Sequence, residues 1–113
     1  YSTACDMAVI LHAAMENEIC KKVLSARNYT TSCTQQHPQG ITFSSKFLNR
    51  IDRKFGKEKV VGAKTGYVNQ SRYCAVSMYE SEANNKYICV TGMAGKAWQT
   101  VYDHIAFYQN YCK

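Results

Sequence analysis

Residues 60–78, VVGAKTGYVNQSRYCAVSM, open as a β-strand and then break the rules for one. Val60 and Val61 are β-branched lead-ins, yet Lys64, Thr65 and Gly66 follow, and a buried strand accommodates neither a charge nor a glycine well. Two readings give a lysine, a hydroxyl residue and a glycine in close order a purpose. A phosphate-binding loop needs glycine immediately before the lysine, where this chain has Ala63, and the earlier glycine is missing too. The other is a K-T-G element on a strand that lines a groove. Taken as three residues alone, K-T-G also fits an edge-strand lysine beside a bulge glycine.

Outward from this run, Tyr73–Tyr79 and Tyr87–Met93 are two more β-rich segments, and the polar connection ESEANNK between them suits a hairpin. Cys74 and Cys89 fall on its two arms and could face each other, a register that sequence leaves open. The closing KAWQTVYDHIAFYQNYCK places Trp98, Val101, Tyr102, Ile105, Tyr108 and Cys112 on one helical face, expected to pack on the sheet. Before the K-T-G run, SKFLNRIDRKFG predicts a partly helical segment anchored by Phe47, Leu48 and Ile51 and ended by Gly56. Further back, NYTTSCTQQHPQGITFSS holds the sole proline, Pro38, and predicts short extended segments near Tyr29–Cys33 and Ile41–Ser44 with a turn between them. The opening YSTACDMAVILHAAMENE predicts a helix with Ser2 or Thr3 as cap and Asp6 in a capping-box position. Met7, Ile10, Leu11, Ala14 and Met15 form its apolar face, with His12 off the stripe. A second short helix is expected over Glu18–Ser25 with Ile19, Val23 and Leu24 inward. Helix, strands, helix in this order imply an α+β layer arrangement with an antiparallel sheet.

With 113 residues the chain suits one domain and is also short enough to be a piece of something larger. A formal charge of +6 favours an anionic partner, and nucleic acid, an acidic cell-wall polymer and an anionic membrane surface all fit. The densest basic group, Arg50 to Lys59, holds one aromatic, Phe55, so solvated surface fits it better than a nucleic-acid stripe. No apolar run approaches the roughly 20 residues of a membrane span. Six cysteines without a C-x-x-C argue against structural zinc, and Cys33 with His37 lacks a second ligand pair. Buried free thiols, with one bridge at most, are the expected state. His12, His37 and His104 invite a Ser/His/Asp reading, but no G-x-S-x-G elbow accompanies them.

The K-T-G context extends well beyond three residues. VVGAKTGYVNQSRYCAVSM resembles the V-V-G-x-K-T-G-Y-T…(A/G)-x-C-L-V run of the D-alanyl-D-alanine carboxypeptidases, the low-molecular-mass penicillin-binding proteins of serine peptidase family S11. YSTACDMAVILHAAM looks like that family's H-Y-S-T-A-x-D-M-A helix start, SSKFLNR stands where the family has N-x-N-x-L-L, and YICVTGMAG resembles its I-x-V-V-x-G strand. The similarity runs in family order over nearly the whole chain. Val68 departs from the usual threonine, and Arg72 takes a position often alanine or glycine.

The resemblance implies part of the β-lactamase/penicillin-binding-protein transpeptidase-like fold, with residues 1–113 as a single partial domain, the C-terminal portion of the peptidase domain. The family's S-x-x-K box and S-x-N triplet are absent, since no serine here has lysine three residues on or asparagine two residues on. The expected role is therefore substrate binding without a catalytic residue of its own. Lys64 would supply an ammonium near the substrate carboxylate, Thr65 a hydrogen bond to it, Gly66 room for an extended peptide, and Tyr67 a main-chain N–H to the oxyanion hole. Implied partners are a peptidoglycan peptide ending in D-Ala-D-Ala and, in the intact enzyme, β-lactams, with no nucleic acid and no cofactor or metal. An extracytoplasmic, cell-wall-side location follows. A non-catalytic wall-binding or regulatory module of the same fold is the alternative. Because helices from upstream sequence would cover part of the sheet, apolar sheet surface and self-association through it are expected.

Overall fold

The structure, a computed structural model, describes residues 1–112. Its elements in order are α1 (Ala4–Glu16), α2 (Glu18–Ser25), β1 (Asn28–Thr30), β2 (Thr42–Ser44), α3 (Lys46–Phe55), β3 (Val60–Val68), β4 (Arg72–Glu80), β5 (Lys86–Ala94) and α4 (Ala97–Tyr111). Helix starts follow local chemistry. Thr3 and Asp6 form the expected capping box, with the Asp6 N–H donating to Thr3 Oγ1 at 3.1 Å and the Thr3 N–H donating to Asp6 Oδ2 at 3.3 Å. Asn17 leaves helical geometry to end α1, and its Oδ1 then accepts from the N–H groups of Ile19 and Cys20 to start α2. Ser45 caps α3, and Gly56 at φ 124° ends it.

β3, β4 and β5 form an antiparallel sheet in that order, and β1 pairs with β2 in a separate two-stranded ribbon. As the central strand, β4 is buried on both faces, and its alternation separates two cores. Ala75 and Tyr79 join Phe47, Leu48 and Ile51 of α3 and Val101 and Tyr108 of α4. Val76 and Met78 face the other way, against Leu11 and Met15 of α1, with Leu24 of α2 at the margin. The sheet is therefore sandwiched between α3/α4 and α1/α2.

This layering corrects several expectations. Helices of this chain cover most of both sheet faces, so exposed apolar sheet surface is limited to one end, at Tyr67 and Val68 of β3 and Met93 of β5, and further large exposed apolar side chains sit on the helices and the ribbon. Val9, Ile10, Ile19, Val23, Phe43 and Phe107 are all exposed. Ile19 and Val23 thus point out of α2, and only Leu24 of the predicted trio turns inward, because α2 is short and lies at the edge of its layer. In α4 the inward face is rotated: Thr100 and His104 are buried, whereas Trp98 and Tyr102 are exposed. All six cysteines are free, and Cys5, Cys20 and Cys33 are exposed rather than buried. Cys89 lies opposite Ser77, and a bulge between Tyr73 and Ala75 leaves Cys74 out of the pairing, so the two thiols do not face each other.

Candidate functional site

β3 changes character halfway. Val60, Gly62 and Ala63 are buried under α2 and α3, whereas Lys64, Thr65, Gly66, Tyr67 and Val68 are all exposed. The strand pairs along one edge only, with β4, so the other edge of this exposed half has no partner among the described residues. The four residues expected to bind substrate therefore lie together on the free end of an edge strand.

A cavity flanks that strand end on each face of the sheet. The larger, about 490 Å³, is walled by Thr65 and Tyr67 of β3, Tyr73 of β4, Lys46, Phe47 and Arg50 of α3, and the first turns of α4. The smaller, about 160 Å³, lies between Lys64, Gly66 and Met7 of α1, with Val76, Val90 and Thr91 beneath. Strand alternation sends Lys64 toward one cavity and Tyr67 toward the other, so the lysine and tyrosine serve different faces. No serine lines either cavity.

The side chains are available for an incoming group. Among the described residues, the Lys64 ammonium donates only to the carbonyl oxygen of Thr65, and the Thr65 hydroxyl has no partner. Tyr67 rests its ring 4.6 Å from that of Tyr73 and hydrogen-bonds Asn69 at 3.3 Å. Gly66 has no intramolecular reason to be glycine. Its φ is not positive, and a Cβ built there meets nothing within 4 Å. Gly40, by contrast, has φ 74°, and a Cβ there would stand 2.2 Å from the Thr31 carbonyl oxygen. Among the described residues, no group of three or more His, Cys, Asp or Glu side chains could hold a metal ion.

His104, which has no catalytic signature in the sequence, lies in a buried polar cluster. Its Nδ1 is 2.6 Å from Ser77 Oγ and its Nε2 is 3.0 Å from Thr91 Oγ1. Ser77 Oγ is also 2.6 Å from the Tyr108 hydroxyl, which donates to the Ser77 carbonyl at 2.9 Å. One assignment gives each contact a proton: Tyr108 donates to the carbonyl, Ser77 to Tyr108, His104 Nδ1 to Ser77, and Thr91 to Nε2. Burial holds His104 at about 4, well below its ordinary 6.5, and pushes the Tyr108 phenol up. Ser77 and His104 are both fully buried, so the pair has no route to a substrate and serves to clamp α4 onto β4 and β5. The Ser77–His104 spacing carries no sequence signature, so the cluster is legible only in the folded chain.

No family model and no curated protein matches the sequence. Solved structures do resemble it. A D-alanyl-D-alanine carboxypeptidase from Mycobacterium tuberculosis superposes with a TM-score of 0.66 at 18% identity, over 98% of this chain and 42% of that one. An evolved penicillin-binding protein homolog from the same organism superposes with a TM-score of 0.69 at 18% identity, over 99% of this chain and 43% of that one. The chain thus has the α+β fold of these proteins over nearly its whole length, and it spans less than half of theirs.

Proposed function

We propose that this chain is the C-terminal portion of the peptidase domain of a family S11 serine-type D-Ala-D-Ala carboxypeptidase, supplying its K-T-G substrate-binding strand. The observation that carries this reading is the exposed, singly paired end of β3, which presents Lys64, Thr65, Gly66 and Tyr67 together between two cavities. A peptidoglycan stem peptide lies along the free β3 edge as an added strand, with Gly66 leaving its flank bare. Lys64 and Thr65 bind the terminal carboxylate, and the Tyr67 N–H is one oxyanion donor. Loss of such a donor typically lowers kcat by about 10²–10³. Attack on the D-Ala-D-Ala peptide bond comes from a serine outside this chain: forming the acyl-enzyme expels the terminal D-alanine, and water then hydrolyses the ester to release the shortened peptide and regenerate the serine. The chain alone is inactive, the intact enzyme takes β-lactams at the same site, and it works on the wall side of the membrane.

A fluorescent penicillin tests this directly. The full-length parent is expected to become covalently labelled and this chain alone to remain unlabelled. Absence of label on the parent would count against the enzyme. It would favour the second reading, a wall-binding module without a nucleophile, which fits the lack of serine around both cavities. An S-x-x-K box encoded upstream decides between the two from the gene.

A further inference from the structure

The larger cavity carries an unbalanced charge that the K-T-G chemistry leaves unused. Lys46 and Arg50 stand four residues apart on α3, on one helical face, and both line it. No acidic side chain lines the cavity, and the ion pairs among the described residues, His12–Glu16 and Arg27–Asp52, lie elsewhere. Arg50 is held in place by stacking, its guanidinium carbon 4.6 Å from the centre of the Trp98 ring, which keeps its planar donor fork ordered at low entropic cost. Phe47, Tyr67 and Tyr73 make the remaining walls largely aromatic, so a carboxylate entering there is partly desolvated and its contact with the cations strengthened.

We infer that the cavity between α3 and the free end of β3 is a second, carboxylate-binding subsite for an acidic peptide, with Lys46 and Arg50 as its specificity determinants. The inference rests on the peptide-binding reading of β3. A peptide added to that edge sends alternate side chains to opposite faces of the sheet, one toward Lys64 and the next toward Lys46 and Arg50. The walled shape and the strand edge beside it favour a peptide over a long polyanion. The carboxylate can be a side chain of the peptide or its terminus, and the chemistry at Arg50 is the same for both.

Three short peptides titrated into the chain by calorimetry separate the cases: acidic side chain with amidated terminus, neutral side chains with free terminus, and neutral with amidated terminus. At least one carboxylate-bearing peptide is expected to bind about tenfold tighter than the fully neutral one, and which one does so names the source. The gap should close in Arg50→Gln and narrow in Lys46→Gln, shrink with added salt, and persist in Lys21→Gln on α2. Lys46 is exposed, so Lys46→Gln carries the test if Arg50→Gln, stripped of its stacking partner, unfolds. A gap that survives both α3 variants, or no gap at all, overturns the inference. So does a short DNA oligonucleotide that binds as tightly with the same dependence on Arg50. A peptide ending in D-Ala-D-Ala that binds no better than its L-Ala counterpart counts against the carboxypeptidase reading, while an Arg50-dependent carboxylate gap leaves the subsite standing.

Discussion

Gly66 and Arg72 lie on the two arms of the β3–β4 hairpin and obey opposite constraints. At Gly66 the folded chain tolerates a side chain, since a Cβ there meets nothing within 4 Å. Gly66→Ala is therefore expected to leave stability within about 0.5 kcal/mol of the parent sequence in urea denaturation while weakening peptide binding along β3. A large loss of stability would show that the glycine serves the fold. At Arg72 the backbone has φ 53°, the left-handed region in which a side chain costs roughly 1–2 kcal/mol. Arg72→Gly is expected to raise stability by about 1 kcal/mol, read as a higher urea midpoint at unchanged slope. The departure from a small residue at this position, visible in the sequence, thus has a backbone cost that only the dihedral angle reveals. Lys64 shows the converse. Its type, its spacing and its opposition to Tyr67 by strand alternation are legible in the sequence, but that α1 covers the Lys64 face is decided by how α1 packs on the sheet.

Among the elements, α3 is the most legible in the sequence and α4 the least. Phe47, Leu48 and Ile51 fall at helical spacing and are all buried, because an apolar stripe on a strongly charged helix leaves one face to bury. α4 is aromatic on more than one side, so hydrophobicity does not select its inner face. The selection is made by polar complementarity: Ser77 and Thr91 offer hydroxyls that His104 and Tyr108 satisfy, and Trp98 turns outward to stack on Arg50. This clamp carries a pH dependence. The unfolded His104 ring gains a proton once pH falls below about 6.5, whereas the folded ring stays neutral to about 4. The contribution is whole above pH 6.5 and is lost progressively between those values, to a total of about 3 kcal/mol. Urea midpoints at pH 7.5 and 4.5 should fall further for the parent sequence than for His104→Phe, in which carboxylate effects remain and the imidazole does not. Equal falls would show that the buried ring does not govern acid stability. His104→Phe itself should cost about 1–3 kcal/mol at pH 7.5, since it strips the ring-nitrogen partners from Ser77 and Thr91.

At the scale of the whole molecule, one ion pair joins parts that are distant in sequence. Arg27, between α2 and β1, donates from Nε and Nη2 to both oxygens of Asp52 on α3, at 2.9 and 3.0 Å. The same guanidinium reaches the carbonyls of Ser25 and Val60, at 2.9 and 2.8 Å, so it ties α2, α3 and the start of β3 together. A lysine cannot reproduce this fork. Arg27→Lys is expected to cost about 2–3 kcal/mol by urea denaturation, and a loss under about 0.5 kcal/mol would show that charge alone suffices. By itself the sequence determined the strand bounds of β3, the caps of α1, the core face of α3, the α+β class and the K-T-G element, because propensity, capping and periodicity depend on residues close along the chain. Only the tertiary structure decided which faces of α2 and α4 are buried, that no thiols meet across the β4–β5 hairpin, and that Lys46 and Arg50 share a cavity with Thr65 and Tyr67. Those outcomes depend on which surfaces meet across the sheet, and that is set by the packing of all the elements at once.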